Sequence, residues 1–197
     1  QLLTYSDMTI FENRGRRTLN EASTVEEFLG LRADLGAFAL GSYFAELLET
    51  VSAEEYPDPP VLQLGLNSLY ALSRALCPPE QIKAVFELRT MSECGFLPQL
   101  ACCNVCGKYD DASFYLDPQE GYLLCPDCAQ KAGKPCNLDA GALYALRHIC
   151  LVEDKKIFAF KISVGSLAKL AAVSEQYALT HLDKPLKSYD FLRSVLS

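Results

Sequence analysis

Beyond residue 23, apolar residues recur at spacings of three, four and seven positions, the period of an amphipathic helix. Ser23 or Thr24 is suited to cap the first predicted helix, because Glu26 and Glu27 follow it. The apolar positions of this helix are Phe28, Leu31, Leu35, Phe38, Ala45 and Leu48. We expect them to face a core.

Prolines and polar caps divide the remaining helical pattern into five further predicted helices. One follows the prolines of residues 57–60, and the next runs from about Glu80 to Cys94, with Gly95 just beyond its end. The last three begin near residues 138, 163–166 and 188. The apolar positions expected to face inward are Leu62, Leu66, Leu69, Leu72, Leu76, Ile82, Val85, Phe86, Leu88, Leu143, Leu146, Ile149, Leu167, Leu170, Val173, Tyr177, Tyr189, Leu192 and Leu196.

The first 22 residues follow a different pattern, typical of two short strands. Apolar and β-branched residues lie on either side of the sequence Asn13-Arg14-Gly15, which favours a turn. Two strands alone are unstable in water, so they either pair with sequence that precedes this chain or pack on the helices. Our interpretation is a fragment whose first domain is largely missing.

Four cysteines between residues 100 and 130 carry the strongest chemical signal in the sequence. Cys103 and Cys106 form one C-x2-C pair and Cys125 and Cys128 another, the spacing at which four thiolates bind one zinc ion. Cys102 competes with Cys103 as first ligand, but it would give C-x3-C spacing. Two short strands, residues 114–116 and 121–124, lie between the pairs, so we predict a zinc ribbon inserted between the third and fourth helices.

This predicted zinc site is structural, not catalytic. Catalytic zinc sites keep a position open for water and commonly use histidine or carboxylate ligands, whereas here all four ligands are cysteines. The energy of metal binding in a closed site stabilises a segment too small to have its own core. Domain boundaries follow: residues 1–22 belong to a β domain, and residues 23–197 form a mainly helical domain that contains the ribbon.

Composition limits the possible functions. The 197 residues are 50% apolar, carry nine cysteines and have a net charge of −7. An odd cysteine count with two C-x2-C pairs favours a reduced, cytoplasmic protein, and no apolar run is long enough to span a membrane. The acidic balance excludes a bulk nucleic-acid binder, so DNA contact requires a local basic cluster. The densest one is Arg14, Arg16 and Arg17.

Catalytic motifs are missing from the sequence. It contains no nucleophile elbow, phosphate-binding loop, dinucleotide glycine pattern or zinc-protease helix. The acidic pairs Glu26-Glu27 and Glu54-Glu55 are adjacent residues, which do not face each other on a helix, and we assign them to solvated surface. We therefore predict a binding protein and not an enzyme.

Several stretches together resemble the RecO family of bacterial recombination mediators over essentially all 197 residues. They are LRADL (residues 31–35), SYFAELL (42–48), FELR (86–89), CGFLPQL (94–100), CNVCG (103–107), GYLLCPDC (121–128) and KPLKS (184–188). Their order and spacing make the resemblance specific. It implies that residues 1 to about 20 are the last strands of an N-terminal OB-fold, followed by a helical domain with a zinc ribbon.

The resemblance also implies a function. RecO-like proteins bind single- and double-stranded DNA, anneal complementary strands and, with RecR, help load RecA onto DNA coated by single-strand-binding protein (SSB). Such a protein is expected in the bacterial cytoplasm, at the nucleoid. The four cysteines match the zinc-binding members of the family.

Two further sets of residues are assigned to partners. SSB has an acidic tail ending in an aromatic residue, and a receptor for it needs an apolar pocket with cations at its rim. Lys83, Phe86 and Arg89 are the hypothesis for that pocket, the alternative being one core residue and two surface charges. Lys184 and Lys187 form a second basic spot that contacts DNA or RecR, or only flanks the last helix. A zinc-ribbon adaptor that binds only protein remains the alternative function.

Overall fold

The structure, a computed structural model, describes residues 1–53 and 56–196, and α-helices dominate this part of the chain. Glu54 and Glu55, assigned to the surface above, lie outside it. The helices are α1 (Leu35–Val51), α2 (Pro59–Ser73), α3 (Pro79–Glu93), α4 (Pro126–Lys131), α5 (Ala140–Leu151), α6 (Val164–Thr180) and α7 (Lys187–Leu196). The strands are β1 (Tyr5–Asn13), β2 (Arg16–Glu26), β3 (Gln99–Cys103), β4 (Ser113–Leu116), β5 (Tyr122–Leu124) and β6 (Leu138–Asp139).

Helix α3 lies at the centre of the core. It packs against α1, α2, α5 and α6, so it is buried on most sides. The four apolar residues predicted to face inward, Ile82, Val85, Phe86 and Leu88, are fully buried. The ring centroids of Phe86 and of Phe44 on α1 are 4.1 Å apart. Such an aromatic pair adds about 0.5–1.5 kcal/mol to the stability beyond the burial of the two rings. The mainly helical fold predicted from the pattern is confirmed.

The predicted start of the first helix was wrong. Strand β2 continues to Glu26, so Ser23 and Thr24 pair with β1 and do not cap a helix. Helix α1 instead begins at Leu35, where the Asp34 carboxylate accepts a hydrogen bond of 2.7 Å from the Ala37 backbone N–H. Pairing of β2 with β1 satisfies the backbone groups of these residues and overrides the local capping signal.

The buried face of α1 also differs from the predicted one. The predicted stripe ran through Leu35, which is 62% exposed, and through Phe38, Ala45 and Leu48, which are only partly buried. The residues that enter the core from α1 are Ala39, Leu40, Tyr43, Phe44 and Leu47. Phe28 and Leu31 are buried as predicted, but they belong to a short 3-10 helix before α1 (Leu29–Arg32) and to the residue that precedes it, so they set the wrong phase for α1.

Helix α2 begins as predicted and ends early. Pro59 and Pro60 occupy its first turn, and Asp58 caps it by accepting from the Val61 N–H. Leu62 and Leu76 were predicted to face the core, but they are 48% and 61% exposed. Leu62 lies off the buried face of α2, and Leu76 follows the end of the helix at Ser73.

Strands β1 and β2 form the predicted hairpin. They pair antiparallel from Tyr5 opposite Glu26 to Asn13 opposite Arg16. The two turn residues, Arg14 and Gly15, have φ angles of 49° and 75°, as a tight two-residue hairpin turn requires. Most hairpin side chains are exposed.

Among the helices of residues 1–53 and 56–196, none has an apolar stretch that could span a membrane.

Helix α7 is attached to the domain through a carboxylate from another helix. Glu46, on α1, accepts hydrogen bonds from the backbone N–H groups of Lys187 (3.1 Å) and Ser188 (2.7 Å) and from the Ser188 hydroxyl. These N–H groups belong to the first turn of α7, which leaves its own donors without helical partners. Burial alone raises the pKa of Glu46, but the bonds from Ser188 and Lys187 outweigh it, so the pKa lies below its ordinary value of 4.5.

We predict that the substitution Glu46→Ala lowers the free energy of unfolding by about 1–2 kcal/mol at neutral pH, the usual cost of a lost cap. Because the folded pKa is lowered, this stabilisation exists above pH 4.5 and disappears as the pH falls further. Urea unfolding at pH 7 and pH 3 measures both effects. The control is Glu49→Ala on the exposed face of α1; an equal loss in the two variants, or no loss in Glu46→Ala, would contradict the prediction.

Candidate metal centre

The residues between α3 and α5 form a small ribbon that packs on the helices. Its strands are ordered β3-β5-β4-β6, with β3 parallel to β5 and β4 antiparallel to both β5 and β6. The two predicted ribbon strands are confirmed as β4 and β5; β3, β6 and α4 were not predicted. Phe114, Leu116 and Leu123 are fully buried in the core that the ribbon shares with the helices.

Two tight turns carry the four cysteines. Cys103 ends β3, and the backbone then turns so that the Gly107 N–H bonds to the Cys103 carbonyl at 2.9 Å. Gly107 has a φ of 73°, which glycine adopts without strain. Cys125 precedes the first turn of α4, Pro126 occupies that turn and Cys128 follows within it. Each pair therefore projects two sulfurs from one turn, as the C-x2-C spacing predicted.

The four thiols converge on one point. The Sγ atoms of Cys103, Cys106, Cys125 and Cys128 all lie within 4.8 Å of one another, and those of Cys106 and Cys125 are 3.6 Å apart. A disulfide needs about 2.05 Å. A tetrahedron with metal–sulfur bonds of about 2.3 Å has edges of about 3.8 Å. The observed separation fits a metal site, and Cys102 lies outside the cluster.

Backbone N–H groups lower the pKa of one thiol in this cluster, that of Cys103. Burial alone raises the pKa of Cys103, but N–H groups of Cys125, Cys106 and Val105 donate to its sulfur and hold the pKa at about 6. Burial and the neighbouring thiols raise the pKa of Cys128 to about 12. Cys103 therefore loses its proton more readily than Cys128, and a divalent cation that binds the four sulfurs displaces the protons that remain. The donor set suits a soft, tetrahedral ion.

Ion pairs and hydrogen bonds hold the ribbon in shape around the cluster. Asp117 accepts from the N–H groups of Gln119 and Glu120 at the turn between β4 and β5, and it pairs with Lys134. Burial raises the pKa of Asp117, but these donors outweigh it and lower the pKa to about 2. On the other side, Arg147 of α5 donates to the carbonyls of Leu100, Ala101 and Tyr109. Sequence reasoning missed both contacts, since no local pattern marks them.

The residues predicted to bind DNA lie apart from the cysteines. Arg14 forms the tip of the β1–β2 hairpin, beside Arg16 and Arg17 on β2, and all three are exposed. The Arg17 Nε donates to Glu12 at 3.1 Å across the hairpin. Lys184 and Lys187 are exposed near the start of α7, at the opposite end of the sequence.

The three residues assigned to the SSB tail share α3 but have different surroundings. Phe86 lies in the core, against Phe44. Lys83 is buried and donates to the carboxylates of Glu87 (2.6 Å) and Glu175 (2.8 Å). The Arg89 guanidinium contacts Asp154 at 2.7 Å and Glu93 at 3.0 Å. The assignment of these three residues to the SSB tail stays a prediction.

Comparison with known proteins gives one consistent result. Residues 32–190 match the family model described as "Recombination protein O C terminal". The DNA repair protein RecO of Acetivibrio thermocellus is 31% identical over 195 residues, which is 99% of this chain and 78% of that protein. The DNA repair protein RecO of Symbiobacterium thermophilum is 28% identical over 200 residues, covering 100% of this chain and 79% of that protein.

These matches cover the helical core, the cysteine cluster and, in the relatives, the hairpin as well. The resemblance read from the sequence is thereby confirmed. This chain belongs to the RecO family.

Proposed function

We propose that this protein is a DNA repair and recombination mediator. It binds single- and double-stranded DNA, anneals complementary strands and, with RecR, helps load RecA onto SSB-coated DNA in the bacterial cytoplasm, at the nucleoid. The observation that carries the proposal is the family match, which extends over nearly the whole chain in relatives named for DNA repair. The proposed activity works through binding and alignment of strands and requires no catalytic residues.

We assign one structural zinc ion to the four-cysteine cluster. Its sulfur spacing and all-thiolate donors fit zinc, and a single iron ion is the competing occupant for the same geometry. With four protein ligands, no position stays open for water, so the ion braces the ribbon and takes no direct part in DNA chemistry.

Partner contacts are assigned to three places. The hairpin residues Arg14, Arg16 and Arg17 contact DNA, with residues 1–22 contributing the last strands of an OB-fold, a fold that binds single strands in a basic groove.

Lys184 and Lys187 form the second basic contact. The SSB tail is assigned to Lys83, Phe86 and Arg89 on α3. Unchanged affinity of Arg89→Glu for an SSB-tail peptide would remove this assignment.

A salt titration of DNA binding tests the proposed function against a protein-only adaptor. A mediator that contacts phosphates loses affinity steeply as salt rises, with a slope of about 0.7 per phosphate on single strands. The charge reversals Arg14→Glu and Arg16→Glu are expected to lower both affinity and slope, while Lys131→Glu, on the exposed end of α4, serves as the control. The absence of DNA binding in the folded, metal-loaded protein would favour the adaptor.

A further inference from the structure

A cleft between the ribbon and α5 plays no part in the contacts assigned so far. It has a volume of about 500 Å³, and residues of the loop after the first cysteine pair form one wall. Helix α5 forms the other wall. The lining residues that matter below are Tyr109, Tyr144, Arg147 and His148.

Aromatic rings stand exposed along this cleft. Tyr109 is 65% exposed and Tyr144 is 60% exposed. The ring of His148, one turn from Tyr144 on α5, has its centroid 6.4 Å from the Tyr144 ring. Large exposed aromatic side chains that converge on a concave surface are typical of binding sites for flat ligands, because each ring offers a face for stacking.

An arginine that lines the cleft holds the Tyr109 ring. The Arg147 guanidinium lies 4.3 Å from the centre of the Tyr109 ring. Its hydrogen bonds go to carbonyl oxygens, including that of Tyr109 at 3.0 Å, rather than to a carboxylate. One face of the Tyr109 ring therefore lies on the Arg147 guanidinium. Because the partners of Arg147 named here are neutral carbonyl oxygens, they do not neutralise its positive charge, which can attract an anionic ligand.

A segment that carries lysines contacts His148. The His148 Nε2 lies 2.9 Å from the Lys156 carbonyl oxygen, and the His148 ring packs edge-on against Phe160 at 5.4 Å. The segment joined to α5 in this way, residues 155–161 (KKIFAFK), carries three lysines and follows directly on Glu153 and Asp154. Of these two carboxylates, Glu153 pairs with Lys156 and Asp154 pairs with Arg89. Lys155 and Lys161 are exposed. Asp110 is the only carboxylate among the residues that line the cleft.

We infer that this cleft binds single-stranded nucleic acid, with bases stacked on Tyr109 and Tyr144 and the phosphate backbone directed toward Lys155 and Lys161. Base stacking explains two exposed tyrosine rings on one concave surface, and charge complementarity explains the exposed lysines of residues 155–161 in a chain whose net charge is −7. Duplex DNA does not fit the same description, because its bases are stacked on one another. The inference rests on the proposed function and adds a strand-binding surface outside the hairpin.

A single tryptophan placed in the cleft tests stacking directly. The chain contains no tryptophan, so Tyr144→Trp gives a unique emission signal in the full 197-residue chain. Added oligothymidylate is expected to quench this emission, and an abasic strand of equal length is expected to leave it unchanged. The control is Tyr70→Trp on α2, a tyrosine that is also exposed (46%) but lies outside the cleft.

Affinity measurements complete the test. Tyr109→Ala with Tyr144→Ala is expected to weaken oligothymidylate binding roughly 5- to 100-fold, in line with the loss of one or more stacks. Lys155→Glu with Lys161→Glu is expected to reduce the salt slope by about 1.4, that is, by two phosphate contacts. If the wild type binds the oligonucleotide but none of these variants changes its signal, affinity or slope, the cleft inference is overturned and the proposed function stands. If the wild-type protein binds no single-stranded DNA, the cleft inference and the proposed function are both contradicted.

Discussion

Replacing Cys125 with serine is expected to abolish metal binding and to unfold the ribbon. Cys125 is buried at the base of the second turn, and its sulfur lies 3.6 Å from that of Cys106. In small metal-binding domains the ion supplies about 10–16 kcal/mol of folding free energy. The ribbon shares Phe114, Leu116 and Leu123 with the main core, so its loss destabilises the helices as well. We expect the melting temperature to fall by roughly 10 °C or more.

The matched control for this experiment is Cys102, the residue before the predicted ligand Cys103 in β3. Cys102→Ser makes the same exchange of sulfur for oxygen, but Cys102 lies outside the cluster. It is expected to keep one metal ion per chain and an almost unchanged melting temperature. Elemental analysis of the purified protein identifies the ion and its stoichiometry. Retention of one ion in Cys125→Ser, or its loss in Cys102→Ser, would show that the ligand assignment is wrong.

Replacing Lys83 with methionine is expected to destabilise the helical core. Glu87 is fully buried, and its carboxylate accepts from Lys83, from the Tyr43 hydroxyl (2.7 Å) and from the Ser174 hydroxyl (2.9 Å). Without Lys83, a buried carboxylate loses its only charged partner among the described residues. Breaking a buried ion pair in this way costs about 3–5 kcal/mol.

The pKa of Lys83 decides the pH at which this loss of stability should be measured. Burial alone lowers the pKa of Lys83, but Glu87 and Glu175 outweigh it, so its pKa lies above the ordinary value of 10.5. A raised lysine pKa contributes stability that is fully present at neutral pH and is lost only in strong alkali. Urea unfolding at pH 7 therefore reports the whole effect. Lys156→Met removes an exposed lysine paired with Glu153 at 3.8 Å and should change little; equal losses in the two variants would contradict the buried-pair account.

Features encoded within a few residues could be predicted from the sequence. The cysteine spacing placed the four ligands correctly in one cluster, because two residues between cysteines leave little choice of turn. Asp139 and Ser163 cap α5 and α6 at the predicted starts, and the Arg14-Gly15 turn closes the hairpin. In each case the residues that determine the local structure are close neighbours along the chain.

Features that depend on distant segments could not be predicted. The face of α1 was misassigned because β2 extends past the capping signal at Ser23, and only pairing with β1 decides where that strand ends. Glu46 caps a helix more than a hundred residues away, and Lys83 finds its second carboxylate on α6. Such contacts leave no periodic or spaced pattern in the sequence.

The cleft beside α5 illustrates the same limit for function. Tyr109 and Tyr144 are separated by the whole second half of the ribbon, and Arg147 brings their segments together through carbonyl hydrogen bonds. In the sequence each is an isolated tyrosine. The structure places them on opposite walls of one cleft, a binding surface that charge counting alone would not suggest in an acidic chain.

We propose that this protein, with a metal ion at its four cysteines, aligns complementary DNA strands. The most direct test of this proposal is strand annealing without ATP, on complementary oligonucleotides coated with SSB, using metal-loaded protein whose fold has been verified. The mediator account predicts rapid annealing that is lost when the SSB tail is deleted. No annealing by the folded, metal-loaded protein would contradict the account and leave a protein-binding adaptor as the better description.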